Sequence, residues 1–155
     1  MNLSKILLLY LEEKQVGILY HFTTLNNLIN IANENFMLKA STRNNYPENF
    51  KKFVSFTRDK NLFTPGENET LVRIVIDGSK LSNNYKIVPY SDLHWKNKLS
   101  HRERNLSQSE EIITKEEVKI FNCIKSIDIL GSKPSDEVLK KIQALKRNIS
   151  INIIK

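Results

Sequence analysis

An α+β fold, with a largely strand-built centre and helices near its beginning, middle and end, is what this sequence predicts. Three observations carry that reading. "TLVRIVID" (70–77) is rich in β-branched residues and stops at Asp77-Gly78, as a strand does. "PSDEVLKKIQALKRN" (134–148) starts with Pro134 and Ser135, carries acids in its first turn and bases in its last, and therefore reads as a helix. Between and around them lie short β-forming runs separated by polar, turn-rich segments, with no composition break that would divide 155 residues into two domains. A single domain spanning 1–155 is expected.

Taken in order, "MNLSKILLLYLEEK" is expected to form an amphipathic N-terminal helix over 1–15. Its apolar stretch lacks a small-residue cleavage site and runs straight into Glu12, Glu13 and Lys14. "VGILYHF" (16–22) reads as a strand. Thr23 or Thr24 can then cap a helix in which Leu25, Leu28, Ile29 and Ala32 recur at i, i+3, i+4 and i+7. "KASTRNNYPEN" (39–49) reads as a loop. "KFVSFT" (52–57) alternates as a strand, with Phe53, Ser55 and Thr57 on one face and Val54 and Phe56 on the other. "NLFTPGENE" contains a Pro-Gly turn signal. "NYKIVPY" suits a short edge strand, because Pro89 cannot donate to a central ladder. "SDLHWKNKLSHRERN" (91–105), capped by Ser91, reads as a positively charged helix; "SEEIIT", "CIKSIDIL" and the terminal "ISINII" read as strands.

Composition narrows the class of protein. With 40% hydrophobic and 26% charged residues the chain is an ordinary globular one, and no apolar run reaches the roughly 20 residues that span a bilayer. No membrane role is expected. The lone Cys123 has no disulfide partner within the chain and no metal-ligand spacing around it, which suits a small buried hydrophobe in a reducing cytoplasm. No metal site is expected: His94 and His101 lie seven apart on a helical reading but lack a third ligand. A formal charge of +7 is compatible with nucleic acid, anionic nucleotides or acidic proteins, without choosing among them.

Three polar spots fall where pattern alone calls for apolar residues. His21 and Thr23 end the first strand, Ser55 and Thr57 share a face with Phe53, and Gln108 and Glu110 open the strand "SEEIIT". Singly, each has an ordinary explanation: a satisfied histidine, strand hydroxyls, a polar loop tail. Their order is more informative. His-x-Thr, then Ser-x-Thr, then Gln-x-Glu resembles the ADP-ribosyltransferase superfamily. "LYHFTTLNNLINI" and "SQSEEII" are similar to segments of its DNA-modifying toxins of the DarT kind. The longer pattern "YHFT … FVSFTRDKN … VRIVIDGSKLSNNYKIVPY … SEEI" also resembles small proteins carried by bacteriophages, and the likeness covers roughly residues 18 to 130.

The resemblance implies a split β-sheet core with flanking helices around a cleft for NAD. It implies NAD-dependent mono-ADP-ribosyl transfer to a macromolecule, nucleic acid or host protein, in the cytoplasm of a bacterial host. Glu110 would be the catalytic acid, Gln108 would orient the acceptor, and His21 would hold NAD with Thr23 in support. The amide at 108, where the family's arginine modifiers carry Glu, argues against an arginine acceptor. Ser55 and Thr57 would brace Glu110 and the ribose side, and Arg43 or Arg58 would pair with the pyrophosphate. The chemistry is coherent: breaking the nicotinamide–ribose bond builds positive charge on the sugar, which an aimed carboxylate stabilises. Adjacent Glu111 competes with Glu110, since a one-residue slip in register would exchange their faces.

Trp95, Lys96, Lys98, Arg102 and Arg104 suggest an acceptor contact, with charge for phosphate and an aromatic for stacking. Two non-enzymatic readings stand beside the transferase. One is an inactive transferase-like binding protein, such as a phage inhibitor of a host defence system; the other is a basic nucleic-acid-binding domain.

Overall fold

The computed structural model describes residues 17–42, 51–89, 110–145 and 148–155. The expected helices at 1–15 and 91–105, most of the loop 39–49 and residues 146–147 of the expected helix 134–148 fall outside them. So do Arg43, His94, Trp95, Lys96, Lys98, His101, Arg102, Arg104 and Gln108.

The elements run β1 (Ile18–Thr23), α1 (Leu25–Asn33), β2 (Met37–Lys39), β3 (Ser41–Thr42), β4 (Lys52–Thr57), β5 (Thr70–Asp77), α2 (Gly78–Ser82), β6 (Val88–Pro89), β7 (Glu110–Ile113), β8 (Glu117–Lys119), a 3₁₀ turn (Phe121–Cys123), β9 (Ile124–Gly131), α3 (Asp136–Leu145) and β10 (Ser150–Ile154). The fold is α+β, as expected. A mixed sheet has the order β10-β9-β5-β1-β4-β7-β6, with β3 added to β4, and β2 pairs β8 in a separate ribbon. β10 runs parallel to β9 after the α3 crossover; the other pairs are antiparallel.

The split lies between β1 and β4. β1 pairs with β5 along its whole length, from Ile18↔Asp77 to Thr23↔Val72. Against β4 it pairs only at Tyr20↔Thr57. Beyond that point the strands part, so backbone groups there need partners other than the ladder.

Local sequence explains most elements. Thr24 caps α1, its hydroxyl accepting from Asn27 N at 3.2 Å, and Leu28 and Ala32 turn to the core. On β5 every second side chain, Val72, Ile74 and Ile76, is fully buried, giving the period of two of a one-sided strand. These pack with Leu19, Leu28, Phe36, Val54, Phe56, Ile113 and Ile127 in one core. Each full burial of such a side chain is worth about 1.5–3 kcal/mol, so this cluster fixes which face of β1, β4 and β7 looks inward. Cys123 is buried, as read from the sequence.

Some expectations shift. The stretch from Lys39 is not wholly loop: Lys39 ends β2, which pairs β8, and Ser41–Thr42 add to β4. α2 and β8 were not expected. α3 starts at Asp136, with Ser135 Oγ accepting from Val138 N. Pro89 does sit in an edge strand, β6, as its missing N–H demands.

Candidate functional site

β1, β4 and β7 lie side by side, and their polar residues meet where β1 parts from β4. His21 pairs with Ile74 of β5 but has no ladder partner on β4. Its Nδ1–H reaches across the split to the Ser55 carbonyl at 3.0 Å, so the imidazole takes the place of a lost strand-to-strand bond. The ring rests on Phe56, centroids 5.8 Å apart. The same Ser55 donates its hydroxyl to Glu110 Oε1. Glu110 pairs with Thr57 across β4–β7, two residues along from the Ser55↔Ile112 pair, so Ser55, Thr57 and Glu110 share one sheet face. Three segments separated by up to 89 positions in the chain thus form one chain of hydrogen bonds, His21–Ser55–Glu110.

The bond to a carbonyl fixes the tautomer. Nδ1 carries the proton, which leaves Nε2 of the neutral ring as an acceptor. Burial pushes the His21 pKa below its ordinary value, partly opposed by the bond to Ser55 O, so the ring is neutral near pH 7.

Glu111, the neighbour, points to the opposite face. It is buried, and its Oε1 accepts from Arg58 Nε at 2.8 Å. In this register Glu110 faces the crevice and Glu111 faces an arginine. It also occupies one edge of Arg58, which the sequence offered for pyrophosphate. Thr57 is buried and accepts from Asp59 N at 3.1 Å, shaping the exit from β4.

His21 stands between two crevices. One, of about 220 Å³, is lined by Tyr20, His21, Phe22, Ser55, Thr57, Leu62, Phe63 and Glu110, among others. The other, of about 260 Å³, is lined by His21, Thr23 and the α1 residues Asn27, Asn30, Ile31 and Glu34, closed by Met37 to Lys39. A larger groove of about 730 Å³ lies beyond Glu34 and Met37 and contains none of the candidate site residues read from the sequence.

Sequence reasoning missed Phe22, Leu62 and Phe63. Phe63 meets Phe22 edge-on, with centroids 5.3 Å apart, and with Leu62 is left exposed over the Glu110 crevice. An apolar pair inside a Pro-Gly loop was the available signal. Asn27 and Asn30 were missed as well; their three-residue spacing puts both on one helix face. Among the described residues no group of three or more His, Cys, Asp or Glu side chains could hold a metal ion. No described helix is long and apolar enough to cross a membrane.

The sheet parted between β1 and β4 belongs to a fold shared with solved structures of known proteins. Among the solved structures it matches are complexes of DarT from Thermus sp. 2.9. The complex with NAD+ superposes with a TM-score of 0.58 at 14% identity, covering 90% of this chain and 96% of that one. The complex with carba-NAD+ gives 0.57 at 14% identity, covering 90% and 96%. The complex with ADP-ribosylated single-stranded DNA gives 0.59 at 14% identity, covering 91% and 95%. No family model and no curated protein matches the sequence.

Proposed function

We propose that this protein is an NAD-dependent mono-ADP-ribosyltransferase, and that Glu110 stabilises the cationic ribose in the transition state. The observation that carries this reading is the His21–Ser55–Glu110 chain of hydrogen bonds lining a crevice at the split of the sheet. It is supported by the fold shared with structures of DarT bound to NAD+ and to ADP-ribosylated single-stranded DNA.

Each group has a chemical task in this reading. Ser55 spends its proton on one oxygen of Glu110 and so orients the carboxylate, whose other oxygen is free to accept from a ribose hydroxyl. The Nε2 of His21 accepts from a second donor, a ribose hydroxyl or the carboxamide N–H. Phe22 and Phe63 offer aromatic surface to the flat pyridinium ring. Asn27, Asn30 and Thr23, on the far side of His21, suit the polar edges of the adenosine half.

In the reaction the bond from ribose C1′ to the pyridinium nitrogen breaks. Its electron pair leaves with neutral nicotinamide, and the acceptor's nucleophile attacks C1′ and gives up its proton to solvent. Gln108 orients that nucleophile. The net charge of +7, the basic residues from Lys96 to Arg104 with Trp95, and the shared fold favour single-stranded nucleic acid as acceptor over a host protein. Arg43 and the unengaged edge of Arg58 are the candidates for the pyrophosphate.

The test is incubation of the full chain with labelled NAD and either single-stranded oligodeoxynucleotides or a bacterial lysate. Nicotinamide release and label transfer by the wild type, absent from Glu110→Gln, support the reading. Equal release by both removes Glu110 from the chemistry. Absence of both NAD binding and nicotinamide release in the wild type overturns the function.

A further inference from the structure

Arg73 is a charged residue on β5 that takes no part in the chemistry above, yet its guanidinium is almost fully used. Nε and Nη2 both donate to Asp128 Oδ2 on β9, at 3.0 and 2.8 Å, and both side chains are largely buried. Asn152 on β10 donates to the other oxygen of Asp128 at 2.9 Å. Phe22, Arg73, Asp128 and Asn152 are successive cross-strand partners over β1, β5, β9 and β10, so they form one row on the sheet face away from the core. The guanidinium also lies 5.7 Å from the centre of the Tyr20 ring.

The remaining edge leaves the sheet. Nη1 donates to the Lys60 carbonyl at 2.7 Å, in the loop that follows β4 and carries Leu62 and Phe63 over the Glu110 crevice. That loop bends tightly at each end: Asp59 N donates to Thr57 Oγ1, and Asn61 N to Asp59 Oδ1. At the far end Gly66 N donates to Glu69 Oε2. Its middle meets the sheet through Arg73–Lys60 and Phe63–Phe22. A planar fork with donors on two edges can grip a carboxylate and a carbonyl at once.

We propose that Arg73 is a positioning residue: anchored on Asp128, it holds the 58–69 loop through Lys60 so that Phe63 stands against Phe22 as a wall of the crevice. Its consequence for NAD rests on the proposed function, whereas its grip on the loop does not.

Two measurements on the full chain separate these. Arg73→Lys keeps the charge beside Asp128 but cannot reach Lys60 with a second donor edge. Hydrogen exchange without NAD is expected to quicken about tenfold at amides 60–64 while β5 and β9 keep their protection. Asn152→Ala, which removes a donor to Asp128 but no Arg73 contact, leaves loop exchange as in the wild type. Nicotinamide release should show KM raised about tenfold in Arg73→Lys and in Phe63→Ala, with kcat within about twofold. The double variant should be no worse than Phe63→Ala, since the two act as one unit. Unchanged loop exchange, equal loss of protection in β5 and β9, or losses that multiply in the double variant overturn the proposal. If the wild type releases no nicotinamide, the functional reading fails, and the exchange measurement still decides whether Arg73 holds the loop.

Discussion

Glu110 and Glu111 are joined by one peptide bond and serve opposite faces of β7: Glu110 accepts from Ser55 at the crevice, and Glu111 is buried against Arg58. Their removal should therefore separate chemistry from stability. Glu110→Gln is expected to lower nicotinamide release by about a hundredfold or more, the scale of losing a transition-state charge partner, with little change in melting temperature. Glu111→Gln leaves Arg58 without its counter-ion. Because Arg58 is part-exposed, the cost is expected at about 1–2 kcal/mol, with activity per folded molecule retained. Melting curves beside initial rates check both; the reverse pattern would reassign the acid.

Ser55 is expected to act on turnover more than on binding. Ser55→Ala removes the donor that orients Glu110 but leaves the Ser55 carbonyl, and hence the His21 bond, in place. The expected result is a fall in kcat of about tenfold or more with KM little changed. Ser55→Thr, which restores a hydroxyl on a strand that accepts β-branched residues, should recover much of it. A KM effect without a kcat effect would show that Ser55 serves the ligand and not the acid.

Much of this arrangement could be read from the sequence, for a physical reason. β5, α1 and α3 carry periodicity and caps that act within a few residues, so Thr24, Val72-x-Ile74-x-Ile76 and Ser135 announce them locally. His21, Ser55 and Glu110 were recognisable as residue types in an order. What the order lacks is register. That His21 reaches the Ser55 carbonyl follows from β1 and β4 meeting only at Tyr20↔Thr57. That Glu110 and not Glu111 faces Ser55 follows from Thr57↔Glu110 pairing, set by nonlocal packing of Val54, Phe56 and Ile113. β2 and β8, three residues each, exist because they pair with one another across the chain, and no local pattern marks them. Phe63 lies in a loop, as read, but its place at the crevice was hidden because its partner, Phe22, lies 41 positions away.

The loop after β4 also depends on Gly131. This residue has φ +86°, and an added Cβ would run into the Glu69 carbonyl and press on Pro65 at 3.0 Å. Gly131→Ala therefore combines a left-handed backbone with a clash against main chain, which cannot move as a flexible side chain can. A loss of about 2 kcal/mol or more is expected, seen as a melting temperature lower by about 4–8 °C. A neutral result would mean that the Glu69–Ser132 junction shifts freely, despite the bond from Ser132 N to Glu69 O at 3.1 Å.

His21 makes stability depend on pH. Its folded-state pKa lies below the ordinary 6.5, chiefly through burial and despite the bond to Ser55 O. In the window between the folded value and 6.5 the unfolded chain binds more protons than the folded one, so stability rises with pH there. Above 6.5 the neutral ring carries no penalty; as pH falls through the window the penalty grows, and it is complete once the folded ring is also protonated. Protonation also turns Nε2 from acceptor to donor, so NAD affinity is expected to fall over the same range. Melting temperatures between pH 5 and 8, roughly the range in which an ordinary histidine titrates, should show an acid-side loss in the wild type that is reduced in His21→Gln. Parallel curves for the two proteins would place the proton elsewhere and remove the fixed Nδ1–H tautomer from the account of the site.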